Sequence, residues 1–242
     1  MSKNKIGPPD APSVSTAAVQ TAAVVLALFV LQFVAPTSAA IGGSLLSKAL
    51  PLLRMVAVLA LATWFLRRTG QSWADVGLRR PTGWKRITLL AVLGLPAMVL
   101  VLKAFLMPAF ARLGVAPPDI AAFTRLQGDW MEWAYWAFPT ALGSAAFGEE
   151  MIARGFLMNR LERIFAILGR GAAPAAALAQ AAIFGAAHYY QGLGGVLQAG
   201  SVGLMFAIVF FLARRNLWPC IFLHGLFDFV SATSLFLGAK PG

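Results

Sequence analysis

The sequence has little of what keeps a protein dissolved in water. Only 12% of its 242 residues are charged and 59% are hydrophobic, whereas soluble domains are about 25% charged and about 45–50% apolar. Its single cysteine, Cys220, excludes an internal disulfide. We also find no internal repeat and no low-complexity block. These shortages exclude an ordinary soluble domain and a disulfide-stapled scaffold.

Acidic residues and histidines are scarce as well. Nine acidic residues stand against 20 basic ones, with two histidines and a formal net charge of +11. Such a balance can indicate nucleic-acid binding, but here the basic residues cluster at the ends of apolar runs, which is typical of loops facing the anionic cytoplasmic leaflet. We therefore expect a lipid bilayer as the partner and no nucleic acid. The clusters are Arg67-Arg68, Arg79-Arg80, Lys85-Arg86 and Arg214-Arg215.

Long hydrophobic runs are what the sequence has in abundance. Runs of roughly 20 apolar residues predict an all-α, polytopic helical membrane protein with about seven transmembrane helices. A transmembrane β-barrel would alternate apolar and polar residues, and these runs do not. The predicted segments are Ala17–Ala35, Leu50–Leu66, Ile87–Met107, Trp133–Leu157, Pro174–Tyr190, Val196–Ala213 and Leu217–Leu237.

The runs divide the chain into three parts. Residues 1–16 are polar and proline-rich, which predicts a disordered N-terminal tail. Residues 17–128 hold the N-terminal transmembrane helices and loops, and residues 129–238 hold the later helices. The positive-inside rule places the N-terminus in the cytoplasm and the C-terminus outside.

The first segment has two interpretations. Lys3 and Lys5 precede it and TSAA follows it, as in a cleaved signal sequence. Its apolar run of about 18 residues exceeds the usual signal core of about 7–15, which favours a retained helix.

The groups least compatible with a bilayer lie in three late segments. Glu149 and Glu150 fall in the fourth, His188 in the fifth, and His224 and Asp228 in the seventh, while the first three have no acid or histidine. Ionised groups in hydrocarbon cost on the order of 2.5 kcal/mol or more and usually mark a function. We therefore predict one site in a bundle formed by the later helices.

Helical geometry separates the two glutamates. Glu150 and Arg154 lie at i and i+4 with the acid first, the better order for an ion pair, which gives Glu150 a mainly structural role. Glu149 is rotated by about 100°. It has no local cation and needs a partner on another helix, so it is the carboxylate available for chemistry.

The other candidates also occur in i, i+4 pairs on one helix face, Phe184 with His188 and His224 with Asp228. At about 1.5 Å per residue from the predicted cytoplasmic ends, Glu149 lies about 15 Å deep, His224 about 12 Å, Asp228 about 18 Å and His188 about 21 Å. These depths permit the four side chains to meet in one slab of the membrane.

A carboxylate that faces two imidazoles suits the activation of water. Glu149 would act as the general base and His188 would share the proton or orient the water. His224 and Asp228 would bind an oxyanion, or Asp228 would orient His224. Alternatively, Glu149, His188 and His224 would hold a zinc ion with an open fourth position. No H-E-x-x-H motif is present, so the sequence leaves both interpretations open.

Together these motifs resemble a family. Glu149-Glu150-x-x-x-Arg154, Phe184-x-x-x-His188 and His224-x-x-x-Asp228 are similar to the three motifs of the CPBP (CAAX protease and bacteriocin-processing, or Abi) intramembrane proteases. Gly155 after the first motif, Leu217-Trp218-Pro219 before the third, and GLRRP at 77–81 add to the match. The resemblance covers roughly residues 130–235, and it implies an integral protein of a bacterial plasma membrane with a protease core in residues 129–238.

The resemblance also implies an activity and residue roles. Glu149 and His188 would activate water for peptide hydrolysis, His224 and Asp228 would stabilise the oxyanion, and Glu150, Arg154 and Phe184 would support the site. The third motif often ends in Asn, so Asp228 departs from the common pattern. Family members are commonly labelled metalloproteases, and zinc stays an open cofactor here.

The implied substrates are peptides or membrane proteins: prenylated C-terminal CaaX peptides, peptide pheromones or bacteriocin leaders. Two functions of other classes compete. One is a protease-like membrane scaffold, for example in bacteriocin immunity. The other is a proton-coupled transporter, which the confinement of the polar groups to one half of the chain disfavours.

Overall fold

The computed structural model describes residues 11–34, 42–81 and 83–238. Within these residues every regular element is a helix, so the all-α fold predicted from the sequence is confirmed. Short 3₁₀ turns at 121–126, 166–171 and 189–191 connect some of the helices. The long helices are α1 Val14–Val34, α2 Leu45–Arg68, α3 Trp84–Arg112, α4 residues 130–164, α5 Ala172–Ala186, α6 Gly192–Leu212 and α7 Trp218–Phe236.

Six of the described helices, all except α4, are long and apolar enough to cross a membrane, with a mean hydropathy of 1.3 to 2.4 over their best windows. Their outward faces carry large exposed apolar side chains such as Leu26, Val56, Leu89 and Phe105. Hydrocarbon solvates such side chains, whereas soluble proteins rarely expose contiguous apolar surface of this kind. The chain is therefore an integral membrane protein with close to the predicted number of spans.

The remaining predicted span lies in α4, which carries Glu149, Glu150 and Arg154. This helix begins at the N-cap Asp129, whose carboxylate accepts hydrogen bonds from the backbone N–H groups of Met131 and Glu132. It then runs through four segments, Trp130–Tyr135 (α), Trp136–Glu149 (π), Met151–Leu157 (π) and Met158–Ile164 (α).

Pro139 explains where the helix departs from α geometry. It has no N–H to donate to the carbonyl of Tyr135, four residues earlier, and the hydroxyl of Thr140 reaches that carbonyl at 3.3 Å. π-helical turns occur frequently at functional sites. The first π-helical segment of α4 ends at Glu149.

Small residues bring the later helices into close contact. A Cβ added at Gly185 of α5 would lie 2.5 Å from the carbonyl oxygen of Val196 in α6, and one added at Gly225 of α7 would lie 2.9 Å from Leu142 in α4. Helices in membranes associate through such close backbone approach, because lipid provides no hydrophobic driving force between them. The bundle of later helices is thereby held tightly around the polar residues.

The first helix packs against the far end of α4. Arg160 is fully buried and its Nε donates to Oε1 of Gln20 at 2.6 Å. Helix α1 begins at Val14, inside the predicted tail of residues 1–16. Residues 1–10 of that tail, and the TSAA sequence of the signal-peptide alternative, lie outside the described residues.

The GLRRP stretch at 77–81 connects two parts of the bundle. The carbonyl of Gly77 accepts a hydrogen bond from the N–H of Leu217 at 3.0 Å, and Nη2 of Arg79 donates to the carbonyl of Arg214 at 3.0 Å. Gly77 has φ +115°, a conformation that side-chain-bearing residues rarely adopt. The loop thus fixes the turn from which α7, the helix that carries the third motif, starts.

Candidate active site

Glu150 lies at the centre of the polar cluster and is fully buried. Its Oε1 accepts a hydrogen bond from Nη1 of Arg154 at 2.9 Å, which is the i, i+4 ion pair expected from the spacing. The same oxygen accepts from Nδ1 of His224 at 2.8 Å. One carboxylate oxygen therefore joins the first motif on α4 to the third motif on α7.

Arg154 is also fully buried, and its charge is surrounded by aromatic faces. The guanidinium carbon lies 4.6 Å from the ring centre of Phe184 and 5.0 Å from that of Phe206, at distances where a ring attracts a cation. Nη2 donates to the carbonyl of Gly203 at 2.8 Å. Phe184, the first residue of the second motif, thus contacts the cation of the first.

His224 lies between two carboxylates. Its ring stacks on Phe206 with the centres 4.8 Å apart, Nδ1 faces Glu150, and Nε2 faces Oδ2 of Asp228 at 3.4 Å. Carboxylates only accept hydrogen bonds, so both contacts are satisfied when both ring nitrogens carry protons.

The charges of this cluster balance if His224 is protonated. Glu150 and Asp228 then contribute two negative charges, and Arg154 and His224 two positive ones. Buried charges persist only when they are paired and hydrogen-bonded. A neutral His224 would leave the cluster with one excess negative charge, so the imidazolium form fits the surroundings better.

The structure corrects one prediction from the sequence, namely which of the two glutamates contacts an imidazole. We expected Glu149 to face both histidines and Glu150 to serve Arg154 alone, but the hydrogen bond to His224 comes from Glu150. The reason is the buried face of α4, which points Glu150 toward α7 and leaves Glu149 half-buried beside it. The two adjacent acids therefore have different surroundings, although not the ones the spacing suggested.

His188 also departs from its expected place within a helix. α5 ends at Ala186, and the backbone N–H of His188 donates to Gly185, so the carbonyl of Phe184 is available. The Nδ1 of His188 lies 2.9 Å from that carbonyl oxygen. Because a carbonyl can only accept, Nδ1 carries a proton, and Nε2 is the ring nitrogen that holds the lone pair whenever the ring is neutral. The half-buried ring lies against the rings of Phe184 and Tyr190, with centres 5.0 and 5.9 Å away.

A cation near Glu149 comes from a residue that the sequence analysis did not single out. Arg54 of α2 lies close enough to Glu149 and Tyr190 for their charges to influence one another, and Glu149 and Asp228 lie near Tyr190 in the same way. An arginine inside the second predicted span was the available signal, since ionisable residues in spans are rare and usually functional. Tyr190 had no comparable signal, because tyrosine is common near helix ends in membranes.

An aromatic cluster borders the site on the side of Tyr190. Phe123 and Leu126, in the 3₁₀ turn between α3 and α4, are buried against Tyr190, Trp133 and Trp136. The N–H of Asp119 donates to the carbonyl of Gln191 at 2.9 Å and ties the preceding loop to the same place. The described surroundings of His188 are therefore apolar and aromatic.

The three candidate zinc ligands do not converge in the structure. Within residues 11–34, 42–81 and 83–238, no three His, Cys, Asp and Glu side chains are grouped closely enough to hold a metal ion. His224 turns one ring nitrogen to Glu150 and the other to Asp228, so neither nitrogen is directed at a site shared with Glu149 and His188. The donor set present does not fit zinc, and we derive no step through a metal.

Comparison with known families agrees with the motifs. Residues 131–230 match the family described as type II CAAX prenyl endopeptidase Rce1-like. The resemblance to the CPBP proteases is thereby confirmed, and at the level of the family it supports a CAAX-type intramembrane protease, a membrane-embedded peptidase. No curated protein and no solved structure matches the chain.

Proposed function

We propose that this chain, a CAAX-type intramembrane protease by its residues 131–230, hydrolyses a peptide bond with a water molecule activated by Glu149. The observation that carries the proposal is the different surroundings of the two adjacent glutamates. Glu150 is fully buried and bound to Arg154 and His224. Glu149 is half-buried at the edge of that cluster, next to the charge of Arg54. It is the carboxylate that a water molecule and a substrate can reach.

In the first step Glu149 takes a proton from the water, and the hydroxide attacks the carbonyl carbon of the scissile peptide. A positioned carboxylate base suits this step. Nε2 of His188 keeps a lone pair because Nδ1 donates to the carbonyl of Phe184. His188 can therefore accept a hydrogen bond from the attacking water and orient it toward the carbonyl carbon.

Negative charge then develops on the former carbonyl oxygen. The imidazolium of His224 offers its Nε2–H, whose contact with Asp228 at 3.4 Å is long for a hydrogen bond to a charged group. An oxyanion can take this donor at little cost, while Glu150 keeps the ring in place through Nδ1. Asp228 then orients the ring and balances its charge. Collapse of the intermediate breaks the C–N bond, and Glu149 returns its proton to the leaving amine.

The family description supports a first choice of substrate, the C-terminal CaaX peptide of a prenylated protein. A prenyl chain and apolar CaaX residues also suit the aromatic cluster of Phe123, Trp133, Trp136 and Tyr190. Peptide pheromones and bacteriocin leaders are the other substrate classes to compare. From the positive-inside rule we place the N-terminus on the cytoplasmic side of a bacterial plasma membrane.

The test compares new protein termini, by mass spectrometry, in cells that express wild type, Glu149→Gln or Glu162→Gln. Glu162 lies on the same helix but pairs with Arg215 away from the site, so its variant is the matched control. We expect termini that occur with wild type and Glu162→Gln and are absent with Glu149→Gln. The purified proteins are then given prenylated and unprenylated CaaX peptides. If Glu149→Gln and wild type cleave the peptides equally, Glu149 is not the base and the proposal is wrong. If both yield the same termini and neither cleaves any peptide, the chain acts as a scaffold.

A further inference from the structure

We propose that Arg54 is a positioning residue for Glu149, whose carboxylate it pairs with and holds toward the reacting water. The inference rests on the proposed role of Glu149 as the base. Neither Arg54 nor the helix that carries it lies within residues 131–230, the part of the chain that matches the family. The N-terminal helices would thus contribute directly to the site.

The first argument is a close crossing of α2 and α4. A Cβ added at Gly148 would lie 2.5 Å from Cγ and 2.8 Å from Sδ of Met55. Met55 is buried and sits where any side chain at position 148 would be. Arg54 precedes Met55 and Glu149 follows Gly148, so the arginine and the glutamate flank this close contact between the two helices.

The second argument is charge. The guanidinium of Arg54 and the carboxylate of Glu149 attract each other, and both lie within electrostatic reach of Tyr190. Asp228 of α7 also acts on Tyr190. Lys48 of α2, six residues before Arg54, pairs with Glu132 of α4 instead. Arg54 is therefore the cation that α2 supplies to the acidic side of the site.

The third argument is that a hydrogen bond from another helix holds the Arg54 side chain in place. Its Nη1 donates to Oε1 of Gln32 on α1, and Gln32 is buried. A guanidinium has five N–H donors in a rigid planar fork, so it can serve the amide of Gln32 and a carboxylate at once. Gln32 fixes the direction of the fork, and a fixed fork restricts the rotamer of the carboxylate beside it.

The position of Arg54 along its helix argues, on energetic grounds, against an incidental role at the surface. It lies nine residues after Leu45, about 14 Å along α2 at the usual rise. An arginine at that depth of a span is costly unless it is paired or faces a polar interior. The carboxylate of Glu149 supplies the negative charge that offsets this cost, and the guanidinium of Arg54 offsets the cost of burying that carboxylate.

The first experiment is a double-mutant cycle on thermal stability in detergent, with Arg54→Met, Glu149→Gln and the double variant. Residues that interact show a non-additive effect. We expect Arg54→Met to lower the melting temperature of wild type clearly more than that of Glu149→Gln. Equal decreases in the two backgrounds would mean that the side chains do not interact, and the proposal would be wrong.

The second experiment measures peptide cleavage by Arg54→Met, Arg54→Lys and the control Arg67→Met, which removes an exposed arginine from the end of the same helix. A base that is no longer positioned slows the chemical step without weakening binding, so we expect kcat of Arg54→Met to fall by about tenfold or more while KM stays within about threefold. Arg54→Lys keeps the charge and should recover most of kcat. Arg67→Met should match wild type.

Two other results would overturn the positioning role. A raised KM with unchanged kcat would assign Arg54 to substrate binding. A fall in kcat no larger than the loss of folded protein, with no recovery in Arg54→Lys, would make its role structural. If wild type itself cleaves no peptide, the proposed function fails, and the stability cycle still decides whether Arg54 and Glu149 interact.

Discussion

Oε1 of Glu150 and Nδ1 of His224 lie 2.8 Å apart, although 74 residues separate them along the chain. This hydrogen bond fixes the imidazole of the third motif from the first. It also directs the other ring nitrogen toward Asp228 and the half-exposed side of the cluster. The second acid of the Glu-Glu pair therefore both balances Arg154 and orients the histidine that we assign to the oxyanion.

Removal of the Arg154 guanidinium from the polar cluster should destabilise the fold. Arg154→Ala leaves the fully buried carboxylate of Glu150 without its strongest partner, and the carbonyl of Gly203 without its Nη2 donor. Breaking a buried ion pair from one side costs about 3–5 kcal/mol. We expect a clearly lower melting temperature in detergent.

Arg170→Ala is the matched control for this variant, because Arg170 is exposed in the 3₁₀ turn after α4. It should melt like wild type. Equal melting temperatures of Arg154→Ala and wild type would show that the Glu150–Arg154 pair contributes nothing to the fold.

Two substitutions of Asp228 should affect hydrolysis to different extents. In Asp228→Asn the amide oxygen still accepts a hydrogen bond from Nε2 of His224, and the amide nitrogen adds a donor for the oxyanion. We expect its kcat to stay within about tenfold of wild type, whereas Asp228→Ala should lose about 100-fold, the usual effect of removing one oxyanion group. Peptide cleavage by the two purified variants provides the comparison. If both variants cleaved as fast as wild type, the side chain would be needed for neither role.

His188 should be dispensable for folding and essential for hydrolysis. It is half-buried at the end of α5, and its one described hydrogen bond, to the carbonyl of Phe184, is partly replaceable by water. His188→Ala should reduce kcat by about 100-fold or more, within the range that acid–base groups contribute, at a nearly unchanged melting temperature. Tyr189→Ala, at the exposed neighbouring position, is the control and should cleave normally. Normal turnover by His188→Ala would remove His188 from the site.

The contact of Gln20 with Arg160 should make a measurable contribution of the first helix to stability. Gln20 is buried and accepts a hydrogen bond from Nε of the fully buried Arg160 at 2.6 Å. Gln20→Leu leaves that donor unsatisfied, which costs about 1–3 kcal/mol. Thermal unfolding in detergent measures the loss, with Val19→Leu at the lipid-exposed neighbour as the control. If both variants melt alike, α1 does not depend on this contact to pack against α4.

The sequence by itself determined the features that depend on local geometry or composition. Hydropathy located the long helices to within a few residues, because a bilayer demands about 20 apolar residues per span. The 3.6-residue period predicted that Glu150 pairs with Arg154 and that His224 lies next to Asp228, and the structure contains both contacts. The three motifs were enough to predict the family that residues 131–230 match, since they occur in order and are confined to the later helices.

Only the tertiary structure decided which side chains meet between helices. Helix rotation and helix crossing points determine that Glu150 binds His224 and that Arg54 lies near Glu149. The geometry of the last turn determines that α5 ends before His188. None of these follows from spacing along one segment. The contact of Gln20 with Arg160 spans 140 residues of chain. Such contacts depend on where glycines such as Gly148 and Gly185 let backbones approach, because packing, rather than periodicity, sets how neighbouring helices face each other in a membrane.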